Sequence, residues 1–211
     1  MYNRNIPDDA HAAMQRLSMS GECIQSIAFT PYGGWSLLYG HSGYVNQNIP
    51  DSAHLAMGQL ANQGERIKSI AFAPNQGWCL LYGYSGFVCD GVSPNLQSAL
   101  MQLANQGAEL KWVAFTREGG CSVLHGANGF FNEAIPDEAH QAMMVLANQG
   151  SDIKSIAFAP NGGWSLLSGI HGFYNRGIPE EAHQIMQLMA NNGQCIRSVA
   201  FAPVGWSILG E

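Results

Sequence analysis

Histidines recur in this chain at intervals of 43 or 86 residues. Imidazole side chains bind a metal ion when several of them converge to about 2 Å from it. Each histidine lies near the start of its own predicted helix, and helices around the outside of a ring would keep the imidazoles apart. We therefore interpret them as partners in a structural hydrogen bond, which glutamine can also make, and predict neither a metal site nor a cofactor. This position holds His11, His54, Gln97, His140 and His183.

Three other recurrent positions carry aromatic and amide side chains near glycine-rich turns. A flat ring beside fixed amides suits a sugar, whose C–H groups pack on the ring while its hydroxyls bond to the amides. Trp, Leu and Tyr at i, i+2 and i+4 also share one strand face, where they would form the core, and the asparagines would then be turn residues. Both interpretations stay open. The candidate ligand-binding residues are Trp35, Trp78, Trp164, Trp206, Tyr39, Tyr82, His125, Asn46, Asn132 and Asn175.

Residues 110–126 depart from their counterparts, and a single departure is where catalysis would be expected, because a reaction needs unlike groups at one place. This stretch contains Cys121 and His125, a nucleophile and a base by residue type. Four residues along one strand separate them by about 13 Å, at about 3.3 Å per residue. A nucleophile and its base need hydrogen-bond reach, so no catalytic residue is predicted.

These recurrences belong to a repeat of 43 residues that fills the chain. Residues 153–169 read IKSIAFAPNGGWSLLSG, and residues 67–83 read IKSIAFAPNQGWCLLYG. A fixed period without linkers indicates one domain of repeated units. We predict a single domain over residues 1–211, with repeats at approximately 1–43, 44–86, 87–129, 130–172 and 173–211.

Each repeat predicts one helix and three strands. An Ile-Pro-acid sequence marks the helix start, because proline presets φ and acidic residues favour the positive end of the helix; the third repeat offers Ser93 as an N-cap instead. Apolar residues follow at helical spacing. A glycine, such as Gly150, ends each helix in the left-handed conformation. SIAF, WSLL and GFYN-type segments then read as a three-stranded antiparallel meander.

The chain ends indicate how the repeats assemble. The last repeat stops before its third strand, and residues 2–5 match the missing segment. An open solenoid would show polar capping repeats at both ends. We therefore predict an α+β fold, a closed pseudo-five-fold toroid of five 43-residue repeats, in which the N-terminal strand completes the last repeat.

Five βαββ units around a pseudo-five-fold axis resemble the pentein (α/β-propeller) arrangement, over the whole chain and at the level of element order. Catalytic penteins use a Cys nucleophile with His and acidic residues around a central channel. No local motif here matches theirs, so their chemistry is not carried over. Five-bladed β-propeller lectins are similar in having one tryptophan-containing unit per blade, although they lack the helix.

Composition narrows the function classes. Only 11% of residues are charged, the net charge is −6, and nine Lys and Arg are spread over five repeats, which excludes the basic face that nucleic acid requires. No apolar run is long enough to span a membrane, and the first residues lack the apolar core of a signal peptide. Five cysteines without a CxxC pattern indicate free thiols. We expect a cytoplasmic or non-classically released protein.

These observations predict a non-catalytic binding protein with similar sites around a ring, and a glycan or another small polar ligand as its partner. Repeated weak sites gain avidity on a multivalent surface. Two alternatives stay open: an enzyme or small-molecule binder with one site in the central channel, and a scaffold for a partner protein. The sequence does not settle the oligomeric state.

Overall fold

The computed structural model describes residues 1–210 as a regular series of five helices and fifteen strands. Glu211, the last residue of the predicted fifth repeat, lies outside the described residues. The helices are α1 (Asp8–Met19), α2 (Asp51–Asn62), α3 (Pro94–Asn105), α4 (Asp137–Asn148) and α5 (Glu180–Asn191). The strands are β1 (Tyr2–Arg4), β2 (Ile24–Phe29), β3 (Trp35–Tyr39), β4 (Gly43–Gln47), β5 (Ile67–Phe72), β6 (Trp78–Tyr82), β7 (Gly86–Asp90), β8 (Leu110–Phe115), β9 (Cys121–His125), β10 (Gly129–Glu133), β11 (Ile153–Phe158), β12 (Trp164–Ser168), β13 (Gly172–Arg176), β14 (Ile196–Phe201) and β15 (Trp206–Gly210).

The helix boundaries follow the predicted local signals. Pro7 and its counterparts sit at the N-cap, and in the third repeat the Ser93 hydroxyl accepts a hydrogen bond from the Leu96 backbone N–H at 3.1 Å. Each helix is followed by a glycine with positive φ, for example Gly150 at 69°. A side chain with a Cβ is strained in that conformation, which is why glycine recurs there.

Each repeat forms one helix and one antiparallel meander, as predicted. In the first repeat β2 pairs with β3 and β3 with β4. The fifth sheet has the order β1–β15–β14, with Tyr2 opposite Ile208 and Arg4 opposite Trp206. The N-terminal strand therefore completes the last repeat, which confirms that element of the predicted toroid.

The first strand of each meander lies closest to the ring axis. β2 packs against β5 on one side and β14 on the other, and β8 and β11 continue the same inner ring. Each helix is held between two successive sheets: Met57 of α2 lies in one buried cluster with Leu38 of β3 and Leu80 of β6. Equivalent clusters recur at the other interfaces. The core is thus divided among five interfaces between repeats, and the apolar residues of each helix pack against a sheet on two sides.

Basic side chains on the inner strands link neighbouring repeats. Lys68 donates to the Leu110 carbonyl at 2.9 Å and pairs with Glu109 at 3.1 Å. Between the last and first repeats, Arg197 donates to the Ile24 carbonyl at 3.1 Å. The ring is therefore closed by the same kind of contact that joins its internal repeats. Within residues 1–210, no helix is both long and apolar enough to cross a membrane.

Candidate functional site

The four predicted tryptophan contacts lie in the core. Trp35 and Trp78 are 2% exposed, Trp164 is 5% and Trp206 is 6%. The Trp35 indole donates to Asp9 Oδ1 at 3.0 Å, and the Trp78 indole to Ser52 Oγ at 2.9 Å. The sequence left two interpretations of these rings open, ligand contact and core packing, and their burial agrees with core packing. Their faces are covered and give a ligand no surface to stack on.

The second predicted position covers a glycine on the neighbouring strand. Tyr39, Tyr82 and His125 are half-buried and stand directly opposite Gly43, Gly86 and Gly129 in the sheet register. A Cβ on Gly43 would lie 2.5 Å from the Tyr39 ring, and a Cβ on Gly129 would lie 2.4 Å from the His125 ring. The ring therefore packs where a side chain is missing, a known way to stabilise glycine in a strand.

The asparagines bond to the recurrent histidines. The distance between Asn46 Oδ1 and His54 Nδ1 is 3.0 Å, and Asn132 and Asn175 lie 3.1 and 3.2 Å from the Nδ1 atoms of His140 and His183. Each asparagine also contacts the sulfur of a buried methionine on the same helix. The predicted structural hydrogen bond of the histidines is confirmed. These contacts join an outer strand to the next helix, while Oδ1 of Asn132 and of Asn175 is buried without a hydrogen-bond partner.

Cys121 and His125 of the third repeat do not form a nucleophile–base pair. Cys121 and His125 lie at opposite ends of β9. Burial and the nearby Glu133 carboxylate raise the pKa of Cys121 to about 12, so the thiol stays protonated. Burial lowers the pKa of His125. Hydrogen bonds from Ser93 and Asn95, at 2.6 Å each, lower the pKa of Glu133. Among residues 1–210, no group of three or more His, Cys, Asp or Glu side chains is placed to hold a metal.

Three similar cavities lie between successive repeats, on the face that carries the turns after the inner strands. A larger hollow of about 570 Å³ lies elsewhere, where α5 faces β1 and β15, with Arg4, Glu181 and Trp206 in its wall. The cleft between repeats 1 and 2 has a volume of about 280 Å³, that between repeats 2 and 3 about 340 Å³, and that between repeats 4 and 5 about 240 Å³. Each is bounded by the turn of one repeat and by the inner-strand end and turn of the next. The repeat symmetry thus produces the same cleft at three interfaces.

The cleft walls combine a constant apolar part with a variable polar edge. The first cleft contains Pro31 and Phe72, and the other two contain the same residue types at equivalent positions: Pro74, Phe115, Pro160 and Phe201. The edge changes from Tyr32, which is 72% exposed, to Asn75 and Asn161. Of the predicted ligand contacts, Trp206 alone lies in the wall of these three clefts. Sequence reasoning pointed to the turn but not to these residues, because each cleft needs two repeats.

The axial opening lies on the same face and is smaller. It holds about 100 Å³ and is lined by the most regular residue of the repeat: Phe29, Phe72, Phe115, Phe158 and Phe201. Proline stands beside the phenylalanine in four repeats, and Arg117 takes that place in the third. Arg117 donates to the Pro160 carbonyl at 3.1 Å. This opening shares its rim with the clefts, so they form one continuous surface.

Fold and clefts together define a repeat protein of the propeller-like toroid class. No family model matches the chain, and no curated protein matches it. Ten solved chains match by structure. One is described as "YCF48 bound to D1 peptide", at 10% sequence identity and a TM-score of 0.41. That alignment covers 69% of this chain and 48% of the other, so this chain spans about half of its length.

Proposed function

We propose that this protein is a non-catalytic, multivalent binding protein whose ligands occupy the clefts between successive repeats. The observation that carries the proposal is the recurrence of one cleft, with the same proline and phenylalanine, at three interfaces. Repeated sites of modest affinity bind a multivalent surface strongly without any further contact. The axial opening, at about 100 Å³ against 240–340 Å³ for the clefts, is less suited to a ligand of its own.

For the ligand class we propose small neutral polar molecules, with sugars first. In the first cleft an exposed tyrosine ring, Tyr32, stands near the side chains of Asn48 and Gln76, and no charged residue lines the wall. Apolar ring face and amides together suit the C–H groups and hydroxyls of a sugar. This arrangement replaces the buried tryptophans and the asparagines of the helix–sheet contact as the proposed contact set, because only groups with free surface can meet a ligand.

The experiment is a glycan array followed by titration of any hit against wild type, Tyr32→Ala and Tyr174→Ala. Tyr174 is a matched exposed tyrosine on β13, and it lines none of the three clefts. Tyr32→Ala should weaken binding about twofold to twelvefold, the equivalent of an aromatic contact of about 0.5–1.5 kcal/mol. Tyr174→Ala should leave it unchanged. Equal effects of the two variants, or no binding to any glycan, would remove the sugar hypothesis.

A protein partner is the second candidate, favoured by the continuity of the clefts with the axial opening on one face. Shared residues such as Pro31 and Phe72 belong to both, so apolar and aromatic groups extend across the turn side of the ring. Such a surface fits the proline or aromatic side chains of a peptide better than it fits separate sugars. A stoichiometric partner that is lost on Tyr32→Ala, without any glycan binding, would select this candidate.

A further inference from the structure

Four interfaces between repeats share one polar arrangement. A serine on the middle strand and an asparagine on the outer strand face a histidine and a methionine on the next helix. In the second repeat, for contrast, the two strand positions hold Cys79 and Cys89, and α3 presents Gln97 and Leu100. The four regular sets are Ser36, Asn46, His54 and Met57; Ser122, Asn132, His140 and Met143; Ser165, Asn175, His183 and Met186; and Ser207, Asn3, His11 and Met14.

The two cysteines are cross-strand neighbours. Cys79 on β6 stands directly opposite Cys89 on β7, as Ser36 stands opposite Asn46. Directly opposed residues of an antiparallel pair have Cβ atoms about 4.5–5.5 Å apart. A disulfide needs about 3.5–4.5 Å, so a small approach of the two strands is enough to join the sulfurs. The remaining cysteines, Cys23, Cys121 and Cys195, have no cysteine opposite them in the sheet register.

The pair combines a reachable thiol with a protected one. Cys79 is fully buried, and Cys89 is half-buried at the outer strand. A hydrogen bond from the Cys79 thiol lowers the pKa of Cys89. The same bond, together with burial, raises the pKa of Cys79. Because the thiolate is the nucleophile in exchange reactions, Cys89 is the attacking group and Cys79 the resolving one.

We propose that Cys79 and Cys89 are a redox-active dithiol that reacts with a low-molecular-weight disulfide, such as oxidised glutathione, to form an intramolecular disulfide. The Cys89 thiolate attacks one sulfur of glutathione disulfide, and the first glutathione leaves as a thiolate that takes a proton from water. The Cys79 sulfur then attacks Cys89 Sγ, its proton passes to the departing glutathione thiolate, and the second glutathione leaves as a thiol. Two protein thiols are oxidised, and one disulfide is reduced to two glutathione molecules.

The inference is independent of what the clefts bind. It adds a modification site at the one interface where the regular serine, asparagine, histidine and methionine are all replaced. The asparagine at this register bonds to a histidine in the other four sets, whereas Cys89 stands opposite a second thiol. The strand that carries Cys89 continues into Gly91 and Ser93, which line the cleft between repeats 2 and 3.

The test equilibrates the full-length protein with mixtures of reduced and oxidised glutathione, then alkylates the thiols under denaturing conditions for intact mass and peptide mapping. The reduced protein has five free thiols. Oxidation should leave three, with a peptide cross-linked between Cys79 and Cys89, and dithiothreitol should restore all five. Phenylarsine oxide, a reagent for closely spaced dithiols, should block the loss when added first.

Two variants serve as controls. The double variant C79S/C89N installs the pair found in the other four repeats and should keep its three thiols under all mixtures. C121S should still lose two thiols, because Cys121 takes no part. Five free thiols in fully oxidised glutathione would overturn the proposal. So would a lasting glutathione adduct on Cys89, or a cross-link from Cys79 to Cys121.

Discussion

Asn46 and His54 join strand β4 to helix α2 across an interface between repeats, with 3.0 Å between Asn46 Oδ1 and His54 Nδ1. The Tyr44 ring meets the same imidazole edge-on, with 6.0 Å between ring centroids. The contact recurs at His140 and His183 with phenylalanine as the ring. The recurrent histidine is therefore a connector between a sheet and the following helix, and its conserved spacing within the chain reflects assembly.

The first prediction concerns this connector. His54→Ala should lower the free energy of unfolding by about 0.5–1.5 kcal/mol, the net contribution of one hydrogen bond. His54→Gln should cost less, because a glutamine amide can still hydrogen-bond to the Asn46 side chain. Urea denaturation would measure both, with His41→Ala in an exposed loop as the control. Equal losses for His54→Ala and His41→Ala would show that the hydrogen bond contributes nothing.

The second prediction compares two buried tryptophans. The Trp78 indole donates a hydrogen bond to Ser52 Oγ, whereas the buried Trp164 Nε1 has no hydrogen-bond partner. The position equivalent to Ser52 holds Glu138 in that repeat, and its carboxylate pairs with Arg176 at 3.2 Å instead. Tryptophan to phenylalanine removes the same atoms at both sites. We expect Trp78→Phe to be more destabilising than Trp164→Phe by about 1–2 kcal/mol, since only one variant loses a hydrogen bond and the other removes an unpaired N–H.

Denaturation of both variants in parallel would give that difference. Acrylamide should also quench the fluorescence of the four buried indoles only weakly. Most of the observed quenching should come from the half-buried Trp112. A greater loss for Trp164→Phe would contradict the assigned hydrogen bonds.

The third prediction concerns the ring that covers a glycine. Gly43→Ala should be destabilising, because the new Cβ would lie 2.5 Å from the Tyr39 ring. In a Tyr39→Ala background that clash is absent, so the same change should cost less. A double-mutant cycle should show coupling of about 0.5–3 kcal/mol between the two positions. Additive effects would mean that the ring and the glycine act separately.

The fourth prediction concerns alkaline pH. The pKa of Cys121 rises on folding from the ordinary value of 9.0 to about 12. Its contribution to stability is fully present below pH 9 and is lost as the pH rises towards 12, because the unfolded chain releases the proton first. Wild type should therefore lose stability more steeply than Cys121→Val between pH 9 and 11. Parallel curves, measured by urea denaturation at each pH, would show that the thiol is unperturbed.

The fifth prediction tests ring closure. Deleting residues 1–5 removes β1 and leaves β15 with an unpaired edge. The deletion also removes the 2.7 Å hydrogen bond from Ser207 to Asn3. We expect a loss of at least about 2 kcal/mol, from several hydrogen bonds of about 0.5–1.5 kcal/mol each. Exposed edges also pair with other chains, so light scattering should detect association. Deleting Met1 alone should change neither the stability nor the association state.

Local order and repeat architecture could be predicted from the sequence because they depend on short-range physics. The Ile-Pro-acid start, the helical spacing of apolar residues and the terminal glycine each act within a few residues, so helix α4 and its four equivalents follow from local signals. The match between residues 2–5 and the missing last strand similarly predicted how the ring closes. Five copies of one pattern made each of these inferences stronger than a single copy would.

The candidate site depended on contacts between repeats, which no local pattern encodes. Trp35 and Tyr32 lie three residues apart and look equally available in the sequence, yet one is 2% and the other 72% exposed. The difference arises because α1 and the neighbouring sheets cover β3, while the turn before it projects from the ring. Periodicity determined which residues are equivalent. Only the tertiary structure decided which are buried, because burial depends on the neighbouring repeat and on the face that it covers.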